Sequence, residues 1–298
     1  MQPTINRGSA PLMRHRHQAA PQQAPWPHRV KRQHCRGLAD EADVPPAISQ
    51  DWRSFRAALV AGSRQARGGE QSESNQTLLH RQDPVLGREA VWAHSIPDAE
   101  QGGLLLATRQ APEVLMNDGL EQAVVFLASH GPEGSLGLLL NKPTSLMLGR
   151  KPGGLRFNVA NAPPQLQQVF SDARVYCGGW TAQQVVHLMH PHPLPKAVQV
   201  VPGIFLGGEA TAAEEVAAGR LAADSFKFFS GALVWEPGQL QREVQAGCWF
   251  PAACARALVL KPTLQLPTPL WREVLLLMGG AFKRVAEAAY EGDEVSGE

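Results

Sequence analysis

His130 ends an apolar run and stands directly before a glycine-rich turn, Gly131-Pro-Glu-Gly134-Ser-Leu-Gly137. An imidazole titrates near neutrality, so in this position it is a candidate general base. It also suits the bland role of a polar strand end, with the glycines supplying turn geometry. Cys177 precedes Gly178-Gly179, which resembles a thiol nucleophile at a tight turn. No Asn or His is spaced to complete that site, and a small packed thiol explains the residue equally.

His187-x-x-His190-Pro191-His192 is the densest histidine group. A zinc site would need a third or fourth ligand, for example Cys177. Pro191, Pro193 and Pro195 keep the segment extended and no carboxylate lies beside it, so no metal is expected. Trp235-Glu-Pro237-Gly-Gln239-Leu puts an aromatic ring and an amide at a helix start, where an anion could be received. Core filling by Trp235 is the competing reading. With Asn141, which closes the second apolar run, the candidate ligand-binding residues are His130, Asn141, Gly178, Gly179, Trp235 and Gln239.

Cofactor and hydrolase signatures are missing. The glycines at 131, 134 and 137 lack the Lys-Ser/Thr of a phosphate loop and the spacing of a dinucleotide fingerprint. There is no Gly-x-Ser-x-Gly, Ser-x-x-Lys or His-Glu-x-x-His. No cofactor is expected.

The elements that must position these residues are short. With 28 glycines and 24 prolines, the chain favours many turns over long helices. Turn-bounded apolar runs predict strands at 103–108, 122–128, 135–140, 173–177, 183–188, 198–205, 225–234 and 255–260. A short helix ends near Phe170. Others are expected over 212–220 with Thr211 as cap, over 237–246 with Pro237 as first residue, and over 270–278 and 281–290 around Gly279-Gly280. Strands and helices do not alternate as βαβ units, so the expected class is α+β with a mainly antiparallel sheet.

Before Asp40 the chain has no acidic residue, yet it carries Arg7, Arg14, Arg16, Arg29, Lys31, Arg32 and Arg36. A basic, acid-free segment without an apolar core reads as an organelle transit peptide, over 1–45. A short amphipathic helix follows at 46–62, with apolar Trp52, Phe55, Leu59 and Val60. A polar linker is expected over 63–98, one folded domain over 99–290, and a disordered tail over 291–298. Charges nearly balance after Glu100, which disfavours nucleic acid as a partner of the folded domain. No apolar run is long enough to span a bilayer. The four cysteines form no C-x-x-C pair, as suits small core thiols in a reducing compartment.

Four ordered blocks resemble the YqgE/AlgH family. They are Ala107-Thr108-Arg109 through Leu140-Asn141-Lys142-Pro143; Cys177-Gly178-Gly179 with Val186-His187-Leu188; Pro202-Gly203-Ile204-Phe205-Leu206-Gly207-Gly208; and Phe229-Ser230-Gly231 through Trp235-Glu-Pro237-Gly238-Gln239-Leu240, then Glu243. Arg109, Trp180 and Val234 depart from the pattern. The resemblance covers about residues 100 to 280 and implies a curved, partly barrel-like sheet with a few flanking helices. It also implies a protein without an assigned reaction. The leader is similar to that of plant and algal members, which points to the chloroplast, with the mitochondrion as alternative. A non-enzymatic binding or regulatory protein with a protein or small-molecule partner is the first expectation. An enzyme with a pocket near His130, Asn141 and Trp235 is the second, and a transcriptional regulator, by family label, the third.

Overall fold

The computed structural model describes residues 73–149, 164–264 and 266–290, together with Arg53, Arg56, Ala57 and Val60, which are helical. The expected leader, tail and most of the helix at 46–62, including Trp52, Phe55 and Leu59, lie outside the described residues. In chain order the elements are α1 (Glu73–Gln82), β1 (Ala93–Ser95), β2 (Leu104–Ala107), α2 (Gln110–Val114), β3 (Val124–Gly131), β4 (Gly134–Leu139) and β5 (Pro143–Met147). Then come α3 (Pro164–Val169), β6 (Arg174–Cys177), β7 (Thr181–His190), β8 (Ala197–Val201), β9 (Ile204–Gly207), α4 (Glu209–Ala217) and β10 (Lys227–Trp235). The chain finishes with α5 (Gln239–Gln245), β11 (Trp249–Cys254), α6 (Arg256–Leu260), α7 (Leu270–Met278) and α8 (Ala281–Ala288).

The strands join in the order β1-β11-β2-β3-β4-β10-β7-β9-β8, with β5 and β6 attached beside β10. All pairings are antiparallel except β10 with β6. Among the described residues the first and last strands of the path do not pair, so the sheet is open. Near its margin Gln101 Nε2 donates to Val200 O at 3.0 Å, a side-chain bond onto β8.

β10 holds the two halves together. Its first part lies between β6 and β7, through Phe228–Ser230, while Leu233–Trp235 pairs with β4. The register against β7 shifts between Ser230 and Ala232, and the intervening Gly231 has φ +69. That bulge lets one strand change partners. The β6–β7 connection crosses it closely, because a Cβ on either Gly178 or Gly179 would come inside 3.0 Å of backbone atoms at Gly231 or Ala232.

Alternation along the strands feeds both sides of the sheet. In β2, Leu104 and Leu106 enter the inner core while Leu105 and Ala107 enter an outer one. The inner core takes residues from both halves, including Phe126, Phe229 and Ile204, and is filled by α6 and α7 with Leu258, Trp271 and Val274. Trp271 Nε1 donates to Ala107 O at 2.9 Å, tying α7 to β2. One outer core is sealed by Ala111 of α2 and Leu240 of α5, and the other by Leu166 of α3 and Ala212 of α4.

Several elements differ from expectation. The run 255–260 is helix α6, and the strand is the preceding Trp249–Cys254. The run 198–205 is the hairpin β8–β9, split at Pro202-Gly203 with Gly203 at φ +76. Gly208, not Thr211, is the N-cap of α4, and Gly238 caps α5 after Pro237. The stretch expected as a linker contains α1 and β1. Leu79 and Leu86 from it reach the inner core, and β1 pairs with β11. Arg53 Nη2 also donates to Gly102 O at 2.6 Å, so residues well before 99 belong to the fold.

Gly231→Ala tests the crossover. An L side chain is strained at this φ, and its Cβ would lie 2.6 Å from Gly179 O. The expected loss is about 3 kcal/mol of stability, read as a lower urea midpoint. An unchanged midpoint would refute the assignment.

Candidate functional site

The Trp235–Glu243 block folds into a hydrogen-bonded hub. α5 starts at Gly238, whose φ of +72 turns the chain sharply after β10. One turn in, Glu243 Oε2 accepts from Trp235 Nε1 and from Trp249 Nε1, each at 2.8 Å. Glu243 Oε1 accepts from Gln239 Nε2 at 2.9 Å, and Gln239 Oε1 accepts from Glu236 N at 3.0 Å. Both indoles and the carboxylate are buried. The hub clamps α5 to β10 and β11, which are not neighbours in the sheet.

His130 and Asn141 are not brought together. His130 Nδ1 shares a 2.7 Å hydrogen bond with Ser135 Oγ, its cross-strand partner near the hairpin tip. Asn141 sits at the other end of the hairpin, where its Oδ1 accepts from Val124 N at 2.9 Å and its Nδ2 donates to Gln122 O at 2.8 Å. From Val124 to His130 the strand rise gives a separation on the order of 20 Å. Trp235 and Gln239 lie at the His130 end, because Trp235 is in register with Ser135. Gly178 lies at the Asn141 end, with its O accepting from Leu139 N and Cys177 N donating to Lys142 O. Gly179 follows it in the crossing over β10. The six candidates therefore form two groups, each bonded into the fold.

The histidine segment holds a contact that spacing alone does not reveal. His190 Nε2 lies 2.9 Å from Gly207 O, which can only accept, so that nitrogen carries the proton. Its Nδ1 then accepts from His192 N. His192 Nε2 lies 2.8 Å from Ser225 Oγ, a Ser-His pair from distant parts of the chain. Ser225 donates its hydroxyl proton to Ala222 O at 2.7 Å, so His192 is the donor to Ser225. The serine is not activated as a nucleophile. Among the described residues no group of three or more His, Cys, Asp or Glu is placed to hold a metal. The Cys177 Sγ, half-buried, lies 3.8 Å from Gly179 O as a weak donor.

Two buried lysines are further centres that the patterns missed. Lys227 Nζ donates to Val259 O at 3.2 Å and Lys261 O at 3.0 Å, at the C-terminal end of α6, where a helix favours a donor cation. It also lies 5.3 Å from the Tyr176 ring centroid. Lys261 pairs with Glu273, which also accepts from Asn75 Nδ2 at 2.8 Å. The available signal was a single lysine inside the apolar run Phe226-Lys-Phe-Phe229.

These sites predict how stability follows pH. Burial holds His187, His190 and His192 below the ordinary imidazole value, and pushes Lys227 down to about 7. In each case the unfolded state binds protons that the folded state refuses, so stability rises with pH. The histidine part should fall away below about pH 6.5, and the Lys227 part should climb from about 7 towards the free lysine value near 10.5. Urea midpoints across that range check it. Lys227→Met should reduce the slope of the upper limb, to which buried Lys261 also contributes, and leave the lower limb, and a wild-type midpoint that falls from pH 7 to 8.5 would contradict this. Separately, Glu243→Gln places an amide N–H against indole donors. It should cost about 1–3 kcal/mol and red-shift tryptophan emission; unchanged emission and midpoint would count against the hub.

A family model described as AlgH-like, DUF179, matches residues 105–283, from β2 into α8. A UPF0301 protein of Chlorobium luteolum is 26% identical over 193 residues, covering 63% of this chain and 90% of that relative. A UPF0301 protein of Chlamydia trachomatis is 30% identical over 190 residues, covering 61% and 88%. Among solved structures, the AlgH protein of Pseudomonas aeruginosa has 20% identity and a TM-score of 0.44, over 69% of this chain and 97% of that one. Protein DIP2367 of Corynebacterium diphtheriae has 19% identity and a TM-score of 0.49, over 63% and 92%. The matched region contains the β10 crossover, the Glu243 hub and both groups of candidate residues, and the chain belongs to the AlgH-like DUF179/UPF0301 family.

Proposed function

We propose that this protein is a non-enzymatic binding or regulatory protein of the chloroplast. One observation supports the non-enzymatic part. Two polar side chains of the motif blocks are engaged within the fold, Glu243 accepting from three side-chain donors and Asn141 bridging two backbone groups. A general base needs a free lone pair facing substrate. The basic, acid-free segment before Asp40 supports the compartment.

Two measurements test the proposal. A fluorescent fusion of residues 1–60 should accumulate in plastids; a uniform cytosolic signal would defeat the compartment, and mitochondrial signal would assign the alternative. Affinity purification of the tagged full chain from isolated plastids should retain a stoichiometric partner. If the protein instead turns over a component of a plastid metabolite extract, and His130→Ala abolishes that turnover, the enzyme reading replaces this one.

A further inference from the structure

Two chain segments meet on the surface beside the outer core that α2 and α5 seal. One is the turn after α2, residues 114–122, and the other is Trp180-Thr-Ala182 at the start of β7. The indole of Trp180 lies over Gly119, so closely that a Cβ there would be 2.8 Å from Trp180 Cζ2. Asn117 Oδ1 accepts from Gly119 N at 2.9 Å and holds that turn in place. Beneath, Leu115 and Cys177 are half-buried against the outer core.

Three large apolar side chains remain in solvent here: Met116 at 91% exposure, Val114 at 55% and Trp180 at 39%. The same two segments carry Met116, Gln122 and Ala182 at φ +49, three of the four non-glycine residues with positive φ among those described. Gln122 is bonded into the fold, its O accepting from Asn141 Nδ2 and its Oε1 from Tyr290 OH at 2.8 Å each, but folding gains nothing from the exposed side chain of Met116. Asn or Gly occupies the left-handed region more cheaply than Met, and an exposed methionine buries no area. Strained backbone that presents an unburied apolar side chain marks a surface kept for contact. Trp and Met are also the residue types enriched at protein interfaces.

The rim defines the occupant. Glu113, Asp118 and Glu121 are exposed on the same turn, while Lys142 Nζ is turned onto Glu121 O at 2.8 Å. Arg109 is the exposed cation nearest in sequence. An acidic rim repels phosphate, which disfavours nucleic acid and anionic lipid. A second copy meeting this face across a twofold axis would set carboxylates against carboxylates.

We propose that the surface of Val114, Met116 and Trp180 docks a basic segment of a partner protein, which seats one aliphatic or aromatic side chain against the indole between flanking Lys or Arg. This rests on the binding reading above and names the surface and the partner class. Arg109, Trp180 and Val234, where this chain departs from the family pattern, are all exposed, so the contact belongs to this chain rather than to its inner scaffold.

The test uses the full chain and labelled synthetic peptides with a central Leu or Phe flanked by Lys/Arg, against controls with the same centre flanked by Glu, followed by fluorescence anisotropy. Basic peptides should bind at least about tenfold tighter than acidic ones and weaken as salt rises. Trp180→Ala and Met116→Asn should each weaken them by about tenfold. Met116→Asn should at the same time raise the thermal midpoint, because Asn accepts the left-handed backbone; this separates lost contact from lost folding. Equal binding of basic and acidic peptides, or binding indifferent to both variants, overturns the proposal, as does binding to anionic vesicles in preference to peptides. If the plastid purification retains a partner that both variants hold as well as wild type, this surface is wrong and the binding reading stands; if no partner is retained, the binding reading itself fails.

Discussion

A single strand serving both halves of the sheet is the constraint on which the rest of this fold depends. β10 exchanges β6 and β7 for β4 within a few residues, and the exchange is possible only because Gly231 takes a left-handed conformation while Gly178 and Gly179 cross it at backbone distance. Side chains at these three positions would force the crossing segments apart. The sheet would then separate into two sheets, each with an unpaired edge. Cysteine chemistry at Cys177 has no place in this account. The glycine pair beside it is explained by the crossing.

Continuity through β10 also decides where the polar groups go. The inner core packs against α6 and α7, so it must accept the end of α6, whose last carbonyls have no partner within the helix. Lys227, the first residue of β10, meets them with its amine. At the far end of the same strand, Trp235 joins the Glu243 hub that holds α5 and β11. Both ends are thus fixed by buried polar bonds, which are directional where apolar packing is not. A slip of β10 by one residue would break both sets at once and turn every side chain to the other face.

How much of this is legible in the sequence depends on whether the signal is local. The runs at 103–108, 122–128 and 135–140 are mainly apolar, and they became strands with most residues buried on both faces. Run 255–260 is equally apolar, but it is too short for periodicity to separate helix from strand, and burial all round made it a helix. β11 was hidden by Pro251, a residue that usually argues against an interior strand. It is tolerated because β1 pairs only with residues 252–254, leaving Pro251 just beyond its end. α1 is largely polar and owes its helix to tertiary bonds such as Asn75 with Glu273, which no local pattern displays. Of the candidate site, the Trp235–Gln239 block was visible as a motif. Its chemistry as a hub was not, because the second indole arrives from β11. The Ser225–His192 pair was invisible for the same reason.

The distribution of strain completes the argument. At the β10 crossover the left-handed position is filled by glycine, which costs the fold little. On the turn at 114–122 and at the start of β7, the same kind of conformation is filled by Met, Gln and Ala. Glycine fills the left-handed position where backbones collide, at Gly231, and also in open turns such as Gly219 and Gly279, whereas the turn at 114–122 carries an exposed Met116 there. At Met116 the choice does not come from folding, since glycine would serve that backbone at least as well. At Met116 and Ala182 the cost of these conformations lies on the outside of the molecule, at exposed side chains, whereas Gln122 is bonded to Tyr290. The inner scaffold bonds polar groups such as Glu243 and Lys227 to itself, while Met116 and Trp180 stand exposed on neighbouring segments.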